Sequence, residues 1–244
     1  MARPSVKICG LTREDQAGAV ARLGADAIGV IGVPGSPRWV APDGRARLFA
    51  AAAAARPDCF GVLVVADPED GELAWLGAAG GHRVLQLHGQ ESPERCAELR
   101  RRLDVGLWKA LRIRSPQDLE RVKAYSDVVD GLLLDAWVPG QLGGSGQAIP
   151  LPWLRAFRPA LPWWLAGGLT PERLPAVLTA VQPDGLDLSS GVEEAPGLKN
   201  LERVAQLFAQ LTDLPPRGDG EQEDDGQAGL GAPEGRRQDR RAFP

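Results

Sequence analysis

From Val6 to about Leu211, short apolar runs alternate with longer amphipathic or alanine-rich stretches. The runs are Val6–Cys9, Ala27–Ile31, Phe60–Val65, Val84–Leu87, Leu107–Ile113, Leu132–Asp135, Trp163–Ala166 and Leu186–Leu188. Most are continuous rather than alternating, the pattern of parallel strands covered on both faces. Between them the spacing predicts helices over Arg13–Leu23, Asp43–Ala55, Pro68–Ala78, Pro93–Arg102, Pro116–Tyr125 and Pro171–Val181, with a last one over Asn200–Leu211. Ser92-Pro93, Ser115-Pro116 and Thr170-Pro171 each put a capping hydroxyl before a Pro suited to the first helical position. After Asp135 the chain runs instead through a Gly-rich loop, PGQLGGSGQ, with room for a short helix over Leu151–Phe157. A loop of that length points to a functional role.

Eight strands alternating with helices call for an α/β fold, either a closed (β/α)8 TIM barrel or an open doubly wound sheet. No GxGxxG follows the first strand, where Cys9-Gly10-Leu11-Thr12 stands instead, and the count of eight favours closure. Closure puts the site at the C-terminal ends of the strands. Composition adds the limits. Hydrophobic residues are 43% of the 244 and charged residues 25%, the balance of a globular chain. Residues 213–244 hold eight acidic and five basic residues, six Gly and four Pro, and scarcely any periodic apolar positions. That composition predicts a disordered tail and leaves residues 1–212 as one catalytic barrel domain. The domain carries 24 acidic and 23 basic residues within a chain of net charge -4, so no nucleic-acid partner is expected. No apolar run reaches the roughly 18 residues a membrane span needs, and the opening MARPSVKICG lacks the apolar core of a secretory signal. Cys9, Cys59 and Cys96 form no CxxC, which reads as reduced thiols in a cytoplasmic protein.

The strand ends present Cys9, the Gly32–Arg38 loop, Asp67, Gln86 with His88, Arg112, Asp135, Gly167-Gly168 and Ser189-Ser190-Gly191. The last two groups follow strands seven and eight, where barrels bind phosphate with main-chain N–H groups. Tight strand-to-helix turns are the plainer account of one Gly pair, but two small-residue clusters on adjacent strands favour phosphate. Cys9 is either a small buried hydrophobe or a thiol at the barrel mouth. Strand alternation puts Lys7 on the same face, where an ammonium favours the thiolate, and Asp187 on the neighbouring eighth strand is its natural counter-ion. Asp135 closes a Leu-Leu-Leu run; it is either a turn cap or a general acid whose apolar walls favour the protonated form. Arg38 is either a solvated charge or a clamp for a carboxylate. His82 and His88 lack a metal-site spacing, so no metal is expected, and His88 reads as a pocket wall.

VKICGLT, SPRWV, VLQLHG, LLLDA with PGQLGGSG, LAGGLTPER and DGLDLSSGVEEAPGLK, in this order from Val6 to Lys199, resemble phosphoribosylanthranilate isomerases. The resemblance implies a (β/α)8 barrel of tryptophan biosynthesis. The implied reaction is an Amadori rearrangement of N-(5-phosphoribosyl)anthranilate to 1-(2-carboxyphenylamino)-1-deoxyribulose 5-phosphate. It implies Cys9 as general base, Asp135 as general acid, and Arg38 as the holder of the anthranilate carboxylate. Gln86, His88, Gly144, Gly167, Gly168, Asp187, Ser189, Ser190 and Gly191 fall at the remaining substrate positions. The implied partner is a small sugar phosphate, with no cofactor, and the protein a monomer or homodimer. Val30-Ile31-Gly32-Val33 replaces an aromatic-rich stretch, Gln147 a Lys, and Pro152-Trp153 an Asp-Trp of the family pattern. A non-catalytic phosphate-binding barrel and an indole-3-glycerol-phosphate synthase are the competing readings; Cys9 and Asp135, where the latter needs a Lys and Glu partners, speak against both.

Overall fold

Eight parallel strands follow one another around a closed barrel: β1 (Ser5–Cys9), β2 (Ala27–Ile31), β3 (Phe60–Val65), β4 (Val84–Leu87), β5 (Gly106–Ile113), β6 (Gly131–Ala136), β7 (Trp163–Leu165) and β8 (Gly185–Leu188). Every predicted strand is present, within one residue at each end. A computed structural model describes residues 3–138 and 146–212. The expected site residue Gly144 and the expected disordered tail, 213–244, lie outside the described residues. The barrel closes where β8 pairs with β1, with Lys7 set directly opposite Asp187.

Strand alternation gives the barrel two apolar surfaces. Val6, Ile8, Ile28, Val30, Leu63, Leu85, Leu132, Leu134 and Leu186 belong to the large core between the barrel and its helices. The interior holds a smaller cluster of Ala27, Val62, Val84, Trp108, Leu133 and Trp164. Two indoles fill it, with the Trp108 and Trp164 ring centroids 4.7 Å apart. Glycines on the neighbouring strands make the room. A Cβ at Gly185 would stand 2.4 Å from the Trp164 ring, and one at Gly131 2.9 Å from Trp108.

The outer layer is α1 (Glu14–Leu23), α2 (Pro42–Ala55), α3 (Pro93–Arg102), α4 (Leu151–Leu154), α5 (Leu174–Ala180) and α6 (Leu201–Thr212). Ser92 and Thr170 cap as expected, accepting from the amides of Arg95 and Arg173. At Ser115 the cap is Asp118, whose carboxylate accepts from the Ser115 amide at 3.0 Å. Three predicted helices are wound differently. Residues Pro116–Tyr125 form a 3-10 helix throughout. Its core-facing residues Leu119, Val122 and Tyr125 recur every three positions, which matches three residues per turn rather than 3.6. In place of one helix over Pro68–Ala78 stand two 3-10 segments, Asp70–Trp75 and Ala78–Gly80. Gly71 and Gly77 weaken an α-helix there, and no residue of either segment is buried to anchor it. The expected helix over Pro171–Val181 begins as a 3-10 turn, Pro171–Arg173, before α5, whose Pro175 has no amide to donate. A hairpin not predicted from the sequence, β9 (Glu193–Ala195) with β10 (Leu198–Lys199), turns through Pro196-Gly197, with Gly197 at φ 83°.

The indole packing yields a test. Gly185→Ala should lower stability by about 1–3 kcal/mol, the usual effect of overfilling a closed core. Urea unfolding curves measure it, and a midpoint equal to that of the unsubstituted protein would show that the Trp164 ring can shift.

Candidate active site

The strand ends open into a cavity of about 540 Å3 at the C-terminal mouth of the barrel. Its lining includes Cys9, Arg38, Gln86, His88, Asp135, Gly167, Gly168, Asp187, Ser189, Ser190 and Gly191, every expected site residue among those described. They arrive from five of the eight strand ends and the loop after β2. The inward phase of each strand sets which residues reach the mouth: two positions above Trp108 is Ala110, and two above Leu133 is Asp135.

Cys9 ends β1 with its sulfur against Gly29 of β2; a Cβ at Gly29 would come within 2.6 Å of Sγ. The thiol is 6% exposed. The expected ion pair beneath it is present, Lys7 Nζ lying 3.1 Å from Asp187 Oδ2, both buried. Its expected net effect on the thiol is not. Burial pushes the Cys9 thiol up to about 11, outweighing the downward pull of the Lys7 and Lys199 ammonium groups. Burial likewise raises the Asp187 carboxyl against the pull of Lys7. Lys7 itself is held above its ordinary value, since Asp187 and Cys9 together overcome its burial.

A chain of side-chain contacts leads from this pair across the barrel. Lys7 Nζ donates to Gln86 Oε1, which turns the Gln86 amide nitrogen toward His88 Nδ1 at 3.0 Å. An ammonium can only donate, so the Gln86 orientation is determined, and Nδ1 of His88 becomes an acceptor. The proton is then left for Nε2, which lies 3.5 Å from Asp135 Oδ2 without a hydrogen bond to it. The other carboxylate oxygen, Oδ1, accepts from the amide of Ala136 at 2.8 Å. Asp135 is 5% exposed, at the top of an apolar strand.

The two small-residue clusters meet. Gly167 and Gly168 have φ of 85° and 58°, in the left-handed region open to Gly. A Cβ at Gly191 would overlap the Leu169 carbonyl at 1.8 Å, so the turns after β7 and β8 touch backbone to backbone. Main-chain groups therefore line this side of the cavity.

Arg38 is not free. Its Nε and Nη2 donate to the Glu193 carboxylate at 2.9 and 2.7 Å, and Glu193 Oε1 lies 2.6 Å from Lys199 Nζ. Although burial alone would raise it, the Glu193 carboxyl is held low by Arg38 and Lys199. Sequence reasoning gave neither Glu193 nor Lys199 a role, although both stand inside the SSGVEEAPGLK run. The Pro196-Gly197 turn was the available signal for a hairpin that would bring them together.

A closed (β/α)8 barrel that gathers a thiol, a carboxylate, a guanidinium and two glycine-rich turns around one cavity is equipped for acid/base work on a small anionic substrate. The family model for N-(5'-phosphoribosyl)anthranilate isomerase matches residues 6–210. The chain belongs to that family. The isomerase of Trichormus variabilis is 46% identical over 207 residues, 84% of this chain and 97% of its own. The crystal structure of phosphoribosyl anthranilate isomerase from Thermus thermophilus, 37% identical, superposes with a TM-score of 0.73 over 85% of this chain and 98% of its own. A further isomerase structure, in complex with reduced 1-(o-carboxyphenylamino)-1-deoxyribulose 5-phosphate, is 29% identical, with a TM-score of 0.71 over 88% of this chain and all of its own.

A thiol raised to about 11 is the neutral, unreactive form at pH 7, and each unit of rising pH increases the thiolate about tenfold. Alkylation of Cys9 by iodoacetamide, followed by peptide mass mapping, should therefore climb from pH 7 to beyond pH 9 without levelling. A plateau below pH 8.5 would mean that the cations win over burial.

Proposed function

We propose that Cys9 and Asp135 divide the proton transfers of the family's reaction. That reaction converts N-(5'-phosphoribosyl)anthranilate to 1-(2-carboxyphenylamino)-1-deoxyribulose 5-phosphate, in tryptophan biosynthesis, and this chain is an isomerase of that kind. The observation that carries the assignment is the convergence of Cys9, Asp135 and both glycine turns on one cavity.

The chemistry needs an acid and a base in separate surroundings. Asp135 gives a proton to the furanose ring oxygen, the ring C–O bond breaks, and the anilino nitrogen becomes an iminium. The iminium withdraws electrons from the adjacent sugar carbon, C2. Cys9, as thiolate, takes the C2 proton, and the electron pair left behind moves toward the iminium nitrogen. The resulting enol amine tautomerises to the ketone: C1 accepts a proton, the C2 hydroxyl gives one up, and its oxygen becomes the carbonyl. His88, with Nε2 at 3.5 Å from Asp135 Oδ2 and no hydrogen-bond partner of its own, is the neighbour that can bond to the carboxylate that ring opening leaves behind.

Recognition divides along the cavity. The amides around Gly168 and Ser190 hold the phosphate, beside the Arg173 guanidinium, which donates to the Gly168 carbonyl. Arg38 holds the anthranilate carboxylate with the part of its guanidinium that Glu193 leaves uncovered. Asp187, one carboxylate oxygen of which has no hydrogen-bond partner, and Ser189 face the sugar between them.

Cys9→Ala and Asp135→Asn should each keep the fold and bind product, yet lower kcat about 10²–10⁴-fold, the usual effect of removing a general acid or base. Because the thiol is raised, the limb of the kcat/KM profile that follows its ionisation should lie on the alkaline side, and Cys9→Ala should flatten that limb. Fluorescence-monitored turnover of freshly generated phosphoribosylanthranilate measures both. Full activity in Cys9→Ala would remove the proposed base.

A further inference from the structure

The β9–β10 hairpin contributes two buried charges that the acid/base scheme does not use. Lys199 Nζ donates to the Cys9 main-chain carbonyl and to Glu193 Oε1. Glu193 in turn takes the Arg38 fork, and its Oε1 also accepts from the Gly197 amide at 3.2 Å. The hairpin is fixed from below. Gln16 of α1 exchanges two hydrogen bonds with the Lys199 main chain, at 2.8 and 2.9 Å, and Thr12 Oγ1 donates to the Gly197 carbonyl. The Arg38 stem crosses Gly10, where a Cβ would meet its Cδ at 2.5 Å. One interlocked unit thus contains the base, the residue after it and the guanidinium.

Its charge is unbalanced. Arg38 and Lys199 bring two cationic heads to a single carboxylate, and among the described residues the only other acidic group acting on both is the Cys9 thiol. A buried arrangement of this kind is poor value as stability alone, because desolvation offsets most of the Coulomb attraction. It makes sense as a preformed receptor for one more negative charge at the cavity wall. We propose that Glu193 and Lys199 are positioning residues: Glu193 fixes the Arg38 guanidinium to receive the substrate carboxylate, and Lys199 locks that assembly to the Cys9 main chain.

This inference rests on the Arg38 assignment made above, so the test separates the two. Two probes are compared by calorimetry: reduced 1-(o-carboxyphenylamino)-1-deoxyribulose 5-phosphate, which carries the carboxylate, and ribose 5-phosphate, which does not. Arg38→Ala should weaken the first and spare the second; failure there overturns the Arg38 assignment itself. Given that result, Glu193→Gln should weaken the carboxylated probe about tenfold, the equivalent of about one charge-assisted hydrogen bond, and leave ribose 5-phosphate unchanged. Equal loss for both probes, or loss for neither, overturns the positioning role. Should Glu193→Gln fail to fold, Glu193→Asp keeps the charge but withdraws it by one methylene, and the same comparison applies. Lys199→Met should lower kcat and move the alkaline limb of kcat/KM upward, with Lys199→Arg restoring most of the difference. The charged groups acting on Cys9 are Lys7, Asp187, Lys199 and Arg38, so the displacement is read with the other three intact. An unmoved limb in Lys199→Met would overturn the link to Cys9.

Discussion

Closing the barrel forces β8 against β1, and the register of that seam sets Lys7 opposite Asp187. An ammonium with no solvent exposure is tolerable only with a partner, since an unpaired buried charge costs several kcal/mol. The seam supplies it at 3.1 Å. Once Lys7 is held there, its remaining protons orient Gln86, Gln86 orients His88, and the His88 ring stands with Nε2 3.5 Å from Asp135 Oδ2. The surroundings of Asp135 on β6 are thus linked to an ion pair on β1 and β8. A barrel that closed with another register would lose the pair, and with it the direction of the chain of contacts.

The same alternation explains why a charged mouth sits directly on an apolar floor. Two residues along a strand advance the chain about 6.6 Å, and that single step leads from Leu133 to Asp135 on β6 and from Gly185 to Asp187 on β8. Trp108 and Trp164 fill the level beneath, with the glycines of β6 and β8 making room for them. The floor keeps the polar layer from sinking into the barrel and makes its lower surroundings apolar. Burial of Cys9 and Asp187 follows from that placement, and burial is the largest influence on both groups.

The sequence made legible whatever depends on local pattern and on the closure rule. Continuous apolar runs located the strands, and the adjacency of first and last strands was enough to pair Lys7 with Asp187. What it did not reveal depends on distances the pattern does not encode. Glu193 lies 155 residues from Arg38, and nothing in SPRWV says that its guanidinium is already engaged. The Pro116–Tyr125 segment carries a convincing helix start, yet its three core contacts recur every third residue and wind it more tightly. The sign of the thiol shift also escaped. Lys7 beside Cys9 suggests a lowered value, and only the depth of burial reverses it.

That reversal bears on how the site can work. A thiol raised to about 11 is scarce as thiolate at neutral pH, but the thiolate that forms is a strong base held out of water. Two neighbouring cations, Lys7 and Lys199, moderate the penalty without abolishing it. A substrate carrying both a phosphate and a carboxylate adds negative charge to the same cavity, which by itself makes the thiolate harder to form. In the proposed binding mode the extra cationic charge of the Arg38–Glu193–Lys199 unit meets that carboxylate. In the same proposal the glycine turns receive the phosphate on main-chain groups. With each anion held on its own partners, the thiol's ionisation stays governed first by burial and then by Lys7, Asp187, Lys199 and Arg38, the first two of these fixed by the closing seam.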